Sequence, residues 1–172
     1  MAIIKSVRGY TPQFGSKCFL ADNAVVVGDV VMGENCTVWF NAVVRGDVNS
    51  IIIGNNTNIQ DGVVIHCTYQ KTKTVIGSNV SIAHNAVVHG CTVEDNVLIG
   101  MGAIIMDEAI IGTGSVIAAG AIILPKTHVE PGSIYAGVPA KKVKDAGEEM
   151  KAVIQRTARN YPMYATWFTE NE

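Results

Sequence analysis

The chain has 172 residues, 48% hydrophobic and 16% charged, with a formal net charge of -2, which is the balance of one ordinary globular domain. So small a charge leaves no electrostatic footprint for nucleic acid, no apolar run is long enough to cross a bilayer, and Met1 to Gly15 lacks the layout of a signal peptide. The expectation is a cytoplasmic protein whose four cysteines, Cys18, Cys36, Cys67 and Cys91, lack CxxC spacing and are free, partly buried thiols.

From Leu20 to Tyr135 an aliphatic or aromatic residue opens nineteen successive short units, most of them six residues long. The fifth position of each unit is nearly always small or β-branched, as in Ala24, Cys36, Ala42, Val63, Ala86, Ala103 and Ala121. A narrow interior requires that pattern. A short repeat rich in Val, Ile and Gly with no helical period predicts a parallel β-helix whose units stack on one another. The expected class is all-β, with residues 1–140 in the β-helix.

The register breaks in three places. It jumps nine residues from Val44 to Ile53, eleven from Ile65 to Ile76, and only five from Val88 to Val93. A loop pushed out of a stacked solenoid costs little core energy and is where function is built, so Cys67 to Thr74 (CTYQKTKT) is a candidate active-site loop. After Pro139 the units stop. Lys144 to Asn160 carries a helical pattern ending before Pro162, with a short second helix through Trp167 and Phe168; residues 141–172 thus form a helical extension on the β-helix.

Three of the four histidines, His66, His84 and His89, fall close together. With three units per coil, residues three units apart stack at the parallel-strand spacing of about 4.8 Å. His66 and His89 are both second residues of units three apart, so they are stacked neighbours that can close on one ion. His84, a third residue, lies on another face and cannot easily join them within one chain. A three-fold copy of the molecule brings His84 of one protomer to the His66–His89 pair of the next. The prediction is a homotrimer with three inter-subunit metal sites. Three imidazoles with an open fourth position describe a catalytic zinc site. His128 has no partner and is read as a surface loop residue.

The same columns place Arg45 with His66 and His89, and Asp61 with His84. An Arg45–Asp61 or Arg45–Asp47 pair between subunits would lock the register. Gln60, with Asn58 two residues before it, can donate and accept hydrogen bonds near the metal water.

The segments WFNAVVRGDV, NTNIQDGVVIH, IAHNAVVHGC and YAGVPAKKV resemble the γ-class carbonic anhydrase family of hexapeptide-repeat proteins over about 150 residues. The resemblance implies a left-handed β-helix, a homotrimer, and zinc, iron or cobalt between subunits. It implies His66 and His89 from one subunit with His84 from its neighbour, and an interface pair of Arg45 and Asp47. Asn58, Gln60 and Asp61 would orient water and bicarbonate during reversible hydration of CO2 by hydroxide generated at the metal. Active members carry a glutamate-bearing loop after the first histidine and a glutamate after RGD. Here CTYQKTKT has no carboxylate and residue 48 is Val, so proton transfer is expected to be slow. Tyr161 and Tyr164 are candidates to line the site from the C-terminal helix.

Two other readings stay open. One is an acyl-CoA enzyme, an acetyltransferase or thioesterase, with one histidine as general base and Lys71, Lys73 or the Lys141–Lys142 pair meeting CoA phosphates. The other is a non-catalytic metal-binding or assembly subunit.

Overall fold

Most units contribute a strand of two or three residues that ends at or just past the aliphatic opener, as in Asn58–Ile59, Ser81–Ile82 and Leu98–Ile99. A computed structural model describes residues 1–169; residues 170–172, the end of the expected extension, lie outside the described residues. The strands stack in parallel into three flat faces. The first face runs from Ile3–Lys5 through Val64–His66 and Val87–His89 to Ile122–Ile123, and the second from Gln13–Phe14 through Thr74–Ile76 and Thr92–Val93 to His128–Val129. Two long strands, Val25–Met32 and Val43–Ile53, turn the corner between these faces and join them into one sheet. The covered face is an eight-stranded sheet from Phe19–Leu20 to Ser133–Gly137, closed by the antiparallel strand Ala140–Asp145.

The openers fill the interior. Ile59, Ile82 and Ile99 of the covered face meet Ile65, Val88 and Ile105 of the first and Ile76, Val93 and Ile111 of the second, all 1% exposed or less. Each such aliphatic side chain contributes roughly 1.5–3 kcal/mol on burial. One corner is turned by a single left-handed residue per coil, and Asn35, Asn56, Asn79 and Asn96 occupy it at φ 52–56°. Asparagine tolerates that conformation, and here its side chain also bridges coils: Asn35 Nδ2 donates to Asn56 Oδ1 at 3.3 Å and Asn56 Nδ2 to Asn79 Oδ1 at 3.2 Å. At Gly54, two residues before Asn56, a Cβ would lie 2.6 Å from the Gly77 carbonyl carbon, so only glycine lets the coils approach.

The C-terminal region departs from expectation. Residues 140–145 return as a strand, and helix α1 is a single element, Glu148–Thr169, that continues through Pro162. An interior proline costs about 3 kcal/mol. Packing offsets it: Tyr161 stacks edge-on against Trp39, and Phe168 meets Phe19, Trp39 and Phe40, with centroids 5.5–5.9 Å apart. At about 0.5–1.5 kcal/mol per ring pair beyond area burial, the three Phe168 pairs hold the segment after Pro162 helical, and the Tyr161 pair anchors the residue before it. Ile154, Ala158 and Ala165 seat α1 on the covered face. No helix among the described residues is long and apolar enough to cross a membrane.

Replacing a stacked opener should cost far more than replacing its exposed neighbour. Ile99→Ala is expected to lose about 2–5 kcal/mol in denaturant unfolding, and Ile52→Ala, at a position 45% exposed, about 1 kcal/mol or less. Equal losses would contradict the stacked core.

Candidate metal centre

His66 and His89 end the strands Val64–His66 and Val87–His89, and the two histidines are register partners across adjacent coils. The residues before them, Ile65 and Val88, are fully buried. Alternation along the strand therefore turns both imidazoles outward from a rigid floor. The rings lie 5.3 Å apart between centroids, and His66 Nδ1 is 3.2 Å from His89 Nε2.

Carboxylates hold the outer nitrogens. Asp47 Oδ1 is 3.0 Å from His66 Nε2, and Asp107 Oδ1 is 2.5 Å from His89 Nδ1. Arg45 Nη1 donates to Asp47 Oδ2 at 2.5 Å, within the same chain, and Thr68 Oγ1 donates to Asp107 Oδ2 at 2.6 Å. The line Arg45, Asp47, His66, His89, Asp107, Thr68 is thus continuous. The two inner nitrogens, His66 Nδ1 and His89 Nε2, face each other and are the pair that a cation would take.

Burial pushes the pKa of His66 below the ordinary histidine value; Asp47 opposes that and the Arg45 charge adds to it. Burial raises the Asp47 and Asp107 carboxyls, but hydrogen bonds from His66 and Arg45 to the first, and from Thr68 and His89 to the second, hold both below the usual range.

His84 follows the strand Ser81–Ile82 and precedes Val87–His89, so it stands at the opposite edge of the first face from His66 and His89. Its Nδ1 lies 2.9 Å from Asp61 Oδ2. Each of the three histidines is therefore held by an aspartate at one ring nitrogen, the arrangement in which a carboxylate orients a ligating imidazole. No three such side chains converge within the described residues of one chain. The pair still fits a metal: ligands about 2.0–2.1 Å from a tetrahedral zinc stand about 3.3 Å apart, against 3.2 Å between the inner nitrogens of His66 and His89.

Asn58 and Gln60 lie on the covered face beneath α1, 1% and 3% exposed. Gln60 Nε2 donates to Asn58 Oδ1 at 2.9 Å, and Asn58 Nδ2 donates to Ser81 Oγ at 2.8 Å. Tyr161 packs on Trp39, and burial with the nearby Asp61 charge pushes its phenol up to about 12. Tyr164 takes a hydrogen bond from Asn160. His128 is exposed at the start of the strand His128–Val129 rather than in a loop.

Sequence reasoning missed Asp107. It looked for an acid inside the 67–74 loop, whereas the stacked coils deliver Asp107 and Glu108 to that loop from the next coil. Thr68 binds Asp107, and Lys71 Nζ is 3.2 Å from Glu108 Oε1. Extending the histidine column by one coil, past Ile105, would have found both. A shallow groove of about 390 Å³ beside His89 is floored by Val87, Ile104 and Met106, with Asp107 and Lys71 at its rim.

Residues 11–46 and 90–125 match the family described as bacterial transferase hexapeptide (six repeats). A "Probable carbonic anhydrase" of Methanocaldococcus jannaschii is 47% identical over 142 residues, covering 83% of this chain and 89% of that protein. The chain belongs to the γ-carbonic-anhydrase-like family of hexapeptide-repeat proteins. "Gamma carbonic anhydrase 2, mitochondrial" of Arabidopsis thaliana is 37% identical over 92% of the chain, which spans only 59% of that relative's length. A crystal structure of a "putative acetyltransferase" from Bacillus cereus superposes with a TM-score of 0.95 at 31% identity, over 99% of both chains. The fold is thus the left-handed parallel β-helix of this family.

In metal-free protein the His66 imidazole is expected to titrate, by NMR, below about 6.5, the ordinary value. With its folded pKa lowered, the stability it contributes is complete above about pH 6.5 and is lost as pH falls through the folded value. Asp47→Asn should lower that titration further, since burial and Arg45 remain. Titration at or above the ordinary value would contradict this account of the site.

Proposed function

We propose that the protein is a trimeric zinc enzyme hydrating CO2 reversibly to bicarbonate, with His66 and His89 of one subunit and His84 of the next holding each metal. The observation that carries the reading is the three aspartate-held histidines divided between the two edges of one face. That face is apolar and uncovered, with Ile3 and Val64 55% and 38% exposed, as a surface awaiting a copy of itself would be. A three-fold arrangement laying first faces side by side brings the His84 edge to the His66–His89 edge and completes the ligand set.

Bound zinc would supply a water acidified to near neutrality; that figure is general to catalytic zinc. The chain's own residues supply orientation and a dry floor. Asp47, Asp107 and Asp61 fix the three imidazoles, Arg45 neutralises Asp47, and Val87, Ile104 and Met106 offer an apolar surface suited to CO2. Asn58 and Gln60, on the segment that also carries Asp61, would orient water and bicarbonate from the subunit donating His84. A single domain overall, with the C-terminal helix packed on the β-helix, and a cytoplasmic site of action complete the proposal.

The acyl-CoA reading draws support from the Bacillus cereus neighbour described as a putative acetyltransferase. It needs one histidine as base and leaves the other two aspartate–histidine pairs unused. Its phosphate-binding lysines are partly engaged: Lys71 with Glu108, and Lys142 with Glu130 and Asp145 at 2.7 and 2.8 Å.

Metal analysis of anaerobically purified protein is expected to give about one zinc per chain, with chelator-sensitive CO2 hydration by stopped flow on the same sample. His84→Ala should lose the metal and keep the trimer. Full metal in that variant would sink the shared site, and stoichiometric CoA binding to metal-free protein would favour the acyl-CoA reading.

A further inference from the structure

Far from the histidines, Cys18 and Cys36 stand two residues before the openers Leu20 and Val38 of consecutive coils. The strands that follow are in register, Phe19 with Thr37 and Leu20 with Val38, and Phe19 N donates to Cys36 O at 2.9 Å. The two cysteines are therefore about one strand spacing apart, about 4.8 Å between Cα atoms, inside the range of about 4.4–6.8 Å that a disulfide spans. Each thiol donates to a glycine carbonyl at the equivalent place in its coil, Cys18 to Gly33 O at 3.1 Å and Cys36 to Gly54 O at 3.0 Å, and both are free.

Their surroundings differ in the way a reactive and a resolving thiol differ. Cys36 is fully buried. Cys18 immediately precedes Phe19–Leu20, the first strand of the covered face, is partly exposed, and borders a cavity of about 390 Å³ between Lys17, Phe19, Asn35 and the α1 residues Pro162 and Ala165. The neighbouring Cys36 side chain lowers the Cys18 thiol to about 7, whereas burial pushes Cys67 up, and Cys91 up to about 12. A thiolate reachable by a small oxidant, with a second thiol stacked behind it, is the arrangement that oxidises selectively.

We propose that Cys18 is a peroxide-reactive thiol and Cys36 its resolving partner, closing an intrachain disulfide that ties the first two coils of the covered face. The Cys18 thiolate attacks one oxygen of hydrogen peroxide, the O–O bond breaks, and hydroxide leaves, giving the sulfenic acid. The Cys36 sulfur then attacks the Cys18 sulfur, the S–O bond breaks, and the hydroxyl departs with the Cys36 proton as water. Two thiols are oxidised and one peroxide is reduced to two waters. Phe19, next to Cys18, carries Phe168 of α1 at 5.9 Å, so the tie lies under the anchor of the C-terminal helix.

The test is hydrogen peroxide treatment of the full-length protein, alkylation of remaining thiols, and peptide mapping. No lysine or arginine lies between Cys18 and Arg45, so one tryptic fragment holds both thiols, and Glu34 divides them for a second protease. The expected result is a fragment lighter by two hydrogens, staying linked after cleavage at Glu34 until reduced, and formed about tenfold or more faster than any oxidation of Cys67 or Cys91. In Cys36→Ser the sulfenic acid should persist at Cys18 and be trapped by a cyclic diketone. Should that variant fail to fold, the mapping of the unaltered protein decides alone. Recovery of Cys18 as alkylated thiol, equal oxidation of all four cysteines, or covalent dimers in place of the internal link would overturn the proposal.

Discussion

Parallel coils stacked at one strand spacing are the constraint on which everything else in this molecule rests. The spacing converts position within a unit into position in a column, so side chains 23 residues apart, His66 and His89, become neighbours 3.2 Å apart at their ring nitrogens. Fully buried Ile65 and Val88 make that placement rigid, and rigidity is what a metal-binding pair requires. The insertions leave the column intact. They bulge outward, and the first carries Asp47 to His66 while the second brings Thr68 to Asp107.

Polar residues around the pair act as one unit. Asp47 and Asp107 grip the imidazoles from outside, and Arg45 and Thr68 grip the carboxylates in turn. The inner nitrogens are then aimed at each other, where a cation would take both. His84 with Asp61 repeats the motif at the far edge of the face, so the proposed site draws on a second chain.

Much of this was legible in the amino-acid sequence because the repeat is regular: the openers, the small fifth positions, and the pairing of His66 with His89 across an eleven-residue jump all follow from counting. The columns also placed Asp61 beside His84. What escaped were features set by packing between elements. Pro162 signalled a helix end, yet aromatic contacts from Phe168 and Tyr161 to Trp39 carry the helix through it. Counting along the repeat also does not show that Asn58 and Gln60 bond each other beneath α1. Asp107 was overlooked because acidic groups were sought within the loop, when the neighbouring coil supplies them.

The central claim, a metal site divided between chains, is tested most directly by complementation. His84→Ala and His89→Ala chains, each unable to complete a site alone, would be unfolded together, refolded as mixed oligomers and assayed for bound zinc. The division predicts recovery of metal at about a quarter of the sites, where an intact His66–His89 pair meets an intact His84. Mixed oligomers that form without regaining any metal would contradict it.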